Sequence, residues 1–125
     1  MTSAVRKPCY FVGSSRRDLA AFPVEVRADI GYALDLAQRG EESLSAKALR
    51  GFGGRGVLEV VESDASGTYR AVYTVRFADC VYVLHCFQKK STKGIATQQH
   101  DIELIKARLH AAAADHAERI KGAKP

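Results

Sequence analysis

Two stretches decide how this chain folds: Tyr69-Arg70-Ala71-Val72-Tyr73-Thr74-Val75, and a short way on Val81-Tyr82-Val83-Leu84-His85-Cys86-Phe87-Gln88-Lys89-Lys90. Both are rich in β-branched and aromatic residues, the composition of strands. The first carries an arginine in mid-strand. The second is apolar on both faces from Val81 to Cys86, which predicts an interior strand covered on both sides, and it empties into a pair of lysines. Cations on a rigid sheet beside aromatic rings suit a polyanion, which makes RNA the first ligand class to consider.

Working outward, Val57 to Glu62 reads as a further strand. Ser63-Asp64-Ala65-Ser66-Gly67 and Ala78-Asp79 are turn-like joints, so the strands Val57 to Glu62, Thr68 to Phe77 and Cys80 to Gln88 should form an antiparallel meander. Upstream, Lys7 to Gly13 reads as a short edge strand, with Pro8 tolerated only at its start. A helix follows, capped by Ser14 or Ser15, and Pro23 opens a second one over Val24 to Gln38. Val26, Ile30, Ala33, Leu34 and Ala37 recur at helical spacing there, and Arg39-Gly40 stops it. Residues 40–56 form a polar connection ending in Gly51-Phe52-Gly53-Gly54-Arg55-Gly56. A Walker loop would need Gly-Lys-Ser/Thr opening a helix, whereas a strand follows here, so this is an approach to a strand and not a nucleotide site. Thr97 can cap a last helix whose buried stripe is Ile102, Ile105 and Leu109.

The expected fold class is α+β: an antiparallel sheet, made of the N-terminal strand plus the three-strand meander, packed against an N-terminal helical hairpin and a C-terminal helix. A chain of 125 residues is expected to be a single domain, 1–125, able to bury about two-thirds of its unfolded surface. Its core spans about residues 9–109, and 117–125 are expected to fray. No apolar run approaches the ~20 residues of a membrane helix, so no membrane association is expected. The start shows no apolar signal region, which points to the cytoplasm. Three cysteines, Cys9, Cys80 and Cys86, without Cys-x-x-Cys spacing argue against a disulfide framework and a zinc site. No cofactor or metal is expected. By strand alternation Cys80 and Cys86 should share a face.

The net charge is +5, and the surplus lies in the flanks. Residues 86–125 carry eight Lys/Arg against four Asp/Glu, whereas residues 57–85 carry two against four. This bias fits nucleic acid or an acidic protein partner.

The order strand, two helices, three-strand meander, helix resembles the RelE/ParE superfamily of type II toxins, and within it the phage-derived, HigB-like branch. The marks are Leu49-Arg50-Gly51, Leu58-Glu59-Val60, Tyr69-Arg70-Ala71-Val72-Tyr73 and Phe87-Gln88-Lys89-Lys90-Ser91. The resemblance implies a small RelE-like fold that enters the ribosomal A site and cuts mRNA there as a metal-independent endoribonuclease. It also implies a cognate antitoxin, in this branch usually a helix-turn-helix protein. It puts the family's mid-strand arginine on Arg70 and its basic residue after the last strand on Lys90. Where RelE has a tyrosine before the last helix, this chain has Ile95-Ala96-Thr97, and Glu59, Val60, Val61 and Glu62 replace RelE's pair of strand lysines. Two other readings remain open: a ParE-like gyrase poison that hydrolyses nothing, and an inactive antitoxin-binding or regulatory module.

Cutting RNA through its own 2′-hydroxyl needs a base for that hydroxyl, cations for the phosphorane and an acid for the leaving oxygen. Arg70 is the candidate oxyanion stabiliser, its guanidinium fork matched to phosphate oxygens; a salt bridge to Glu59 or Glu62 is the structural alternative. Lys90 is the second catalytic cation, and Lys89, Lys93 and Arg55 are candidate RNA-binding residues. For the proton transfers Glu59, Glu62, His85 and His100 compete, with Glu59 and His100 carried forward as catalytic candidates. His85, inside the apolar strand, reads as a hydrogen-bonded core residue. Tyr69 and Tyr73 face away from Arg70 and read as core.

Overall fold

The computed structural model describes residues 6–89 and 98–123. In chain order the elements are β1 (Cys9–Phe11), α1 (Ser15–Ala20), α2 (Val24–Gln38), β2 (Ala46–Ala48), β3 (Val57–Asp64), β4 (Gly67–Thr74), β5 (Val81–Lys89) and α3 (Gln99–Ala123). The five strands form one sheet in the order β1-β5-β4-β3-β2. The expected α+β architecture is present, with β3, β4 and β5 as the antiparallel meander.

The sheet is mixed, because β1 runs parallel to β5, with Cys9 opposite Val81. The N-terminal strand therefore does not join an all-antiparallel sheet as expected. The two helices after β1 carry the chain across one face to β2 at the far edge of the sheet, and the antiparallel strands returning from there bring β5 beside β1 and parallel to it. The polar connection also holds a short strand: β2 pairs antiparallel with β3, Ala46 opposite Val60. Three residues with one lysine gave no readable alternation.

α2 has the predicted bounds, and its buried residues are the predicted stripe Val26, Ile30, Ala33, Leu34 and Ala37. They pack on Leu58, Val60, Tyr69, Ala71, Tyr73, Val81, Val83 and Cys86. Burying each of the larger aliphatic side chains is worth about 1.5–3 kcal/mol. Gly40, at φ 81°, turns the chain off the helix and lets the Glu41 amide return to the Leu36 carbonyl at 2.8 Å. α3 covers the opposite face through Ile105 and Ala112, against Val57, Val72, Tyr82 and Leu84. The cap expected at Thr97 lies outside the described residues.

The tail expected to fray from residue 117 is helical through Ala123. Long-range side-chain contacts anchor this end. Asp115 accepts from Tyr82 Oη at 2.6 Å and from Arg119 Nε at 2.7 Å, and the Arg119 guanidinium lies 3.6 Å from the centroid of the Tyr10 ring.

The β4–β5 ladder carries one irregularity. Tyr73 pairs with Val83 but Val72 pairs with His85, so Leu84 is an extra residue in β5, a β-bulge. Beyond it the side-chain alternation is inverted. Cys80 consequently packs with the α3 face and Cys86 with the α1/α2 face, where simple alternation had put both together. The bulged Leu84 carbonyl is met by Arg108 Nη1 of α3 at 2.9 Å. The same guanidinium reaches Ser14 Oγ at the start of α1 at 3.2 Å.

Candidate functional site

The α3 face of the meander collects the polar residues that the sequence scatters. Arg70 lies opposite Phe87 on β5, and Val72 opposite His85. The bulge is what turns His85 toward α3; without it, this side chain would point at α1 and α2. Glu59, diagonal to Arg70 across the β3–β4 ladder, completes the row.

Arg70 Nη1 donates to Glu59 Oε2 at 2.8 Å, with side chains only 6% and 15% exposed. Arg70 is thus held in the ion pair weighed as its structural alternative, and is buried rather than displayed on an open basic surface. Glu62, the other acid considered, points toward α2. Burial and then the Asp29 carboxylate raise its pKa, and it takes no part in this cluster.

His85 is a hydrogen-bonded, buried residue, as read from its apolar strand. Its partner is Asp101 of α3: Nε2 lies 2.8 Å from Oδ1. The ring stacks on Phe87, centroids 4.4 Å apart and planes 17° off parallel. Burial lowers the pKa of His85, offset in part by the Asp101 hydrogen bond and charge. The neutral ring then carries its proton on Nε2, donated to the carboxylate. Its Nδ1 is left as a buried lone pair with no hydrogen-bond partner among the described residues. Asp101 sits in the first turn of α3, where the helix N-terminus favours its negative charge. His100 hangs off the other carboxylate oxygen of Asp101, at 3.4 Å and 76% exposed.

The depressed pKa has a consequence for stability. Between the folded pKa of His85 and its ordinary value of about 6.5, the unfolded chain binds a proton that the folded chain does not. Stability therefore rises with pH across that window, is complete above about pH 6.5, and is lost as pH falls through the folded pKa. Urea denaturation between pH 7.5 and pH 5 should show this decline in the wild type and a flatter profile in His85→Gln. Parallel profiles for the two proteins would remove His85 as the source.

Lys89 ends β5, two residues after Phe87 and on the same face as Arg70 and His85. Lys90 and Lys93 lie outside the described residues. Arg55 is exposed and paired with Glu42, just before β3 begins beside Thr74, the end of the sheet away from Arg70. The glycine-rich run around it is a loop with positive φ at Gly51, Gly53 and Gly54, and no helix opens from it. Tyr69 and Tyr73 are core residues on the α1/α2 face, as read. The Asp101 partnership escaped the sequence reading. An acid in the first turn of the helix that follows β5 was the available signal.

The phage-derived Gp49-like protein family (DUF891) matches residues 17–110. The chain belongs to that family. No curated protein matches it. Among solved structures, a double-arginine mutant of the E. coli toxin RelE in the free state is similar at 16% identity and a TM-score of 0.53. The match covers 70% of this chain and 88% of that one. The toxin–antitoxin complex RelBE2 from Mycobacterium tuberculosis is similar at 25% identity and a TM-score of 0.46, over 68% of this chain and 100% of that one. The Gp49-like chain thus has the α+β fold of RelE toxins, the fold expected from its strand and helix order. Among its described residues no helix is long and apolar enough to cross a membrane.

Proposed function

We propose that the chain is the toxin of a type II toxin–antitoxin system and acts as a ribosome-dependent mRNA endoribonuclease of the HigB-like kind. The observation that carries this reading is the convergence, on one face of a RelE-like sheet, of the Arg70–Glu59 pair and the His85–Asp101 pair. They supply a fixed cation and a neutral, carboxylate-oriented imidazole, and neither needs a metal. In this reading His85 Nδ1 accepts the proton of the 2′-hydroxyl as the 2′-oxygen attacks phosphorus. The Arg70 guanidinium stabilises the charge that develops on the phosphorane oxygens. As the bond from phosphorus to the 5′-oxygen breaks, that oxygen takes a proton from solvent water, and the products are a 2′,3′-cyclic phosphate and a 5′-hydroxyl. Lys89, Lys90 and Lys93 hold the flanking phosphates.

His85 is favoured over the other bases for physical reasons. Glu59 already accepts from the Arg70 guanidinium, and His100 is largely solvated. Both Arg70 and His85 are buried in the free chain, so this face must open when substrate engages it. An antitoxin of helix-turn-helix type, suggested by the HigB resemblance, is the expected restraint, and the site of action is the cytoplasm.

Primer extension on mRNA after induction tests the activity. Translation-dependent, in-frame cuts are expected. DNA damage with intact mRNA would support the ParE-like gyrase reading instead, and unimpaired growth would support the inactive module.

A further inference from the structure

A second polar cluster lies at the other end of α3. Asp79 and Cys80 close the joint before β5, and His116 reaches them from the helix; their donor atoms all lie within 4.8 Å of one another. We propose that Asp79, Cys80 and His116 form a zinc site, with a carboxylate oxygen, Sγ and Nε2 as three ligands and a water as the fourth.

The donor set suits that ion. Zinc takes sulfur, imidazole nitrogen and carboxylate oxygen together, and a thiolate plus a carboxylate neutralise its two charges. A tetrahedral site with bonds of about 2.0–2.3 Å separates its donors by about 3.3–3.6 Å. With all donors inside 4.8 Å, side-chain shifts of roughly an ångström reach this spacing. His116 Nε2 and Asp79 Oδ1, at 2.7 Å, must part by roughly half an ångström to reach that geometry, and the exposed Asp79 side chain can swing to do so. His116 is already oriented, its ring stacked on Phe77 with centroids 4.3 Å apart. The nearby cation, Arg119, is neutralised by Asp115 at 2.7 Å.

Without metal, protons occupy the same positions. The Cys80 thiol is pushed up to about 11 by burial and the Asp79 charge, and hydrogen-bonds to that carboxylate. The His116 hydrogen bond holds Asp79 below the usual carboxylate range. Zinc replaces the thiol proton and takes the Nε2 lone pair once the ring proton sits on Nδ1, so binding releases a proton. No Cys-x-x-Cys spacing announces such a site, because the third ligand comes from an element 36 residues further on. His116 is 15 residues from Asp101 along α3, about 22 Å of helix. The ion therefore clamps the β4–β5 joint to the helix and takes no part in chemistry at Arg70. The inference stands independently of the nuclease reading.

Cobalt(II) titration of the purified, full-length protein carrying no polyhistidine tag tests it. The expected result is one equivalent bound, with a thiolate-to-cobalt charge-transfer band and visible bands of tetrahedral intensity, both displaced by zinc. Cys80→Ser should abolish the charge-transfer band. His116→Ala and Asp79→Asn should weaken binding by more than the ~10-fold that loss of an outer-shell partner brings, while His110→Ala leaves it unchanged. Zinc should raise the thermal midpoint of the wild type and not of the three ligand variants. Absence of a thiolate band at excess cobalt, or a band that survives Cys80→Ser, overturns the site. If Cys80→Ser fails to fold by circular dichroism, undiminished cobalt binding in the half-buried His116→Ala variant overturns it equally.

Discussion

Expression of the wild type should arrest growth, and Arg70→Ala should relieve that arrest, with mRNA cleavage slowed about a hundredfold or more. Removing one preorganised donor from a developing oxyanion has that effect in sites of this kind. The structure adds a complication that an exposed arginine would not have. Arg70 and Glu59 are a buried pair, and deleting one partner strands the other charge, at about 3–5 kcal/mol of stability. Loss of toxicity by alanine alone is therefore ambiguous. The double variant Arg70→Met, Glu59→Leu resolves it. Replacing both partners by apolar side chains of similar volume should restore most of the stability in urea and none of the cleavage. Arg70→Lys should keep the charge and lose the fork, and so fall between. A folded double variant that still arrests growth would remove Arg70 from the mechanism.

An mRNA on programmed ribosomes should be cut far faster than the same mRNA free in solution. The free chain keeps its proposed cation closed on Glu59 and its proposed base beneath α3. These groups can stabilise charge, but among the described residues nothing on this face is arranged to hold a 2′-hydroxyl in line with its leaving oxygen. Orientation of that kind is worth ~7–11 kcal/mol in favourable cases, and an external scaffold can provide it. Single-turnover cleavage of one mRNA, measured with and without 70S ribosomes, checks the expectation. Equal rates would mean that the chain carries a complete active site by itself. In that event the closed Arg70–Glu59 pair would not be the resting state of the enzyme.

Local pattern accounts for most of the architecture. The α2 stripe from Val26 to Ala37, the meander with its joints, and the buried β5 follow from periodicity and turn residues, because each is a property of a few neighbouring side chains. The placement of Tyr69 and Tyr73 away from Arg70 follows from alternation alone. Alternation also shows where such reading stops. One extra residue, Leu84, inverts β5, separates Cys80 from Cys86 and turns His85 to Arg70's side, and nothing in the local sequence marks it. The parallel pairing of β1 depends on the helices delivering the chain to the far edge of the sheet, from which the later strands return to β1, and only the assembled sheet decides that.

Chemistry-bearing residues were recognisable by type, and their company was not. Arg70 and Glu59 were legible as a possible pair because they sit on strands whose register a tight hairpin sets. Asp101 and His116 were not legible as partners of His85 and Asp79. Those contacts depend on the angle and depth at which α3 seats on the sheet, a matter of Ile105 and Ala112 packing against β-strand side chains far away in sequence. The chain by itself determined its elements apart from the short β2, its strand faces up to the bulge and its cationic character. Tertiary structure decided which cation is buried against which acid and which imidazole is held by a carboxylate, because those relations arise only when distant elements exclude water from between them.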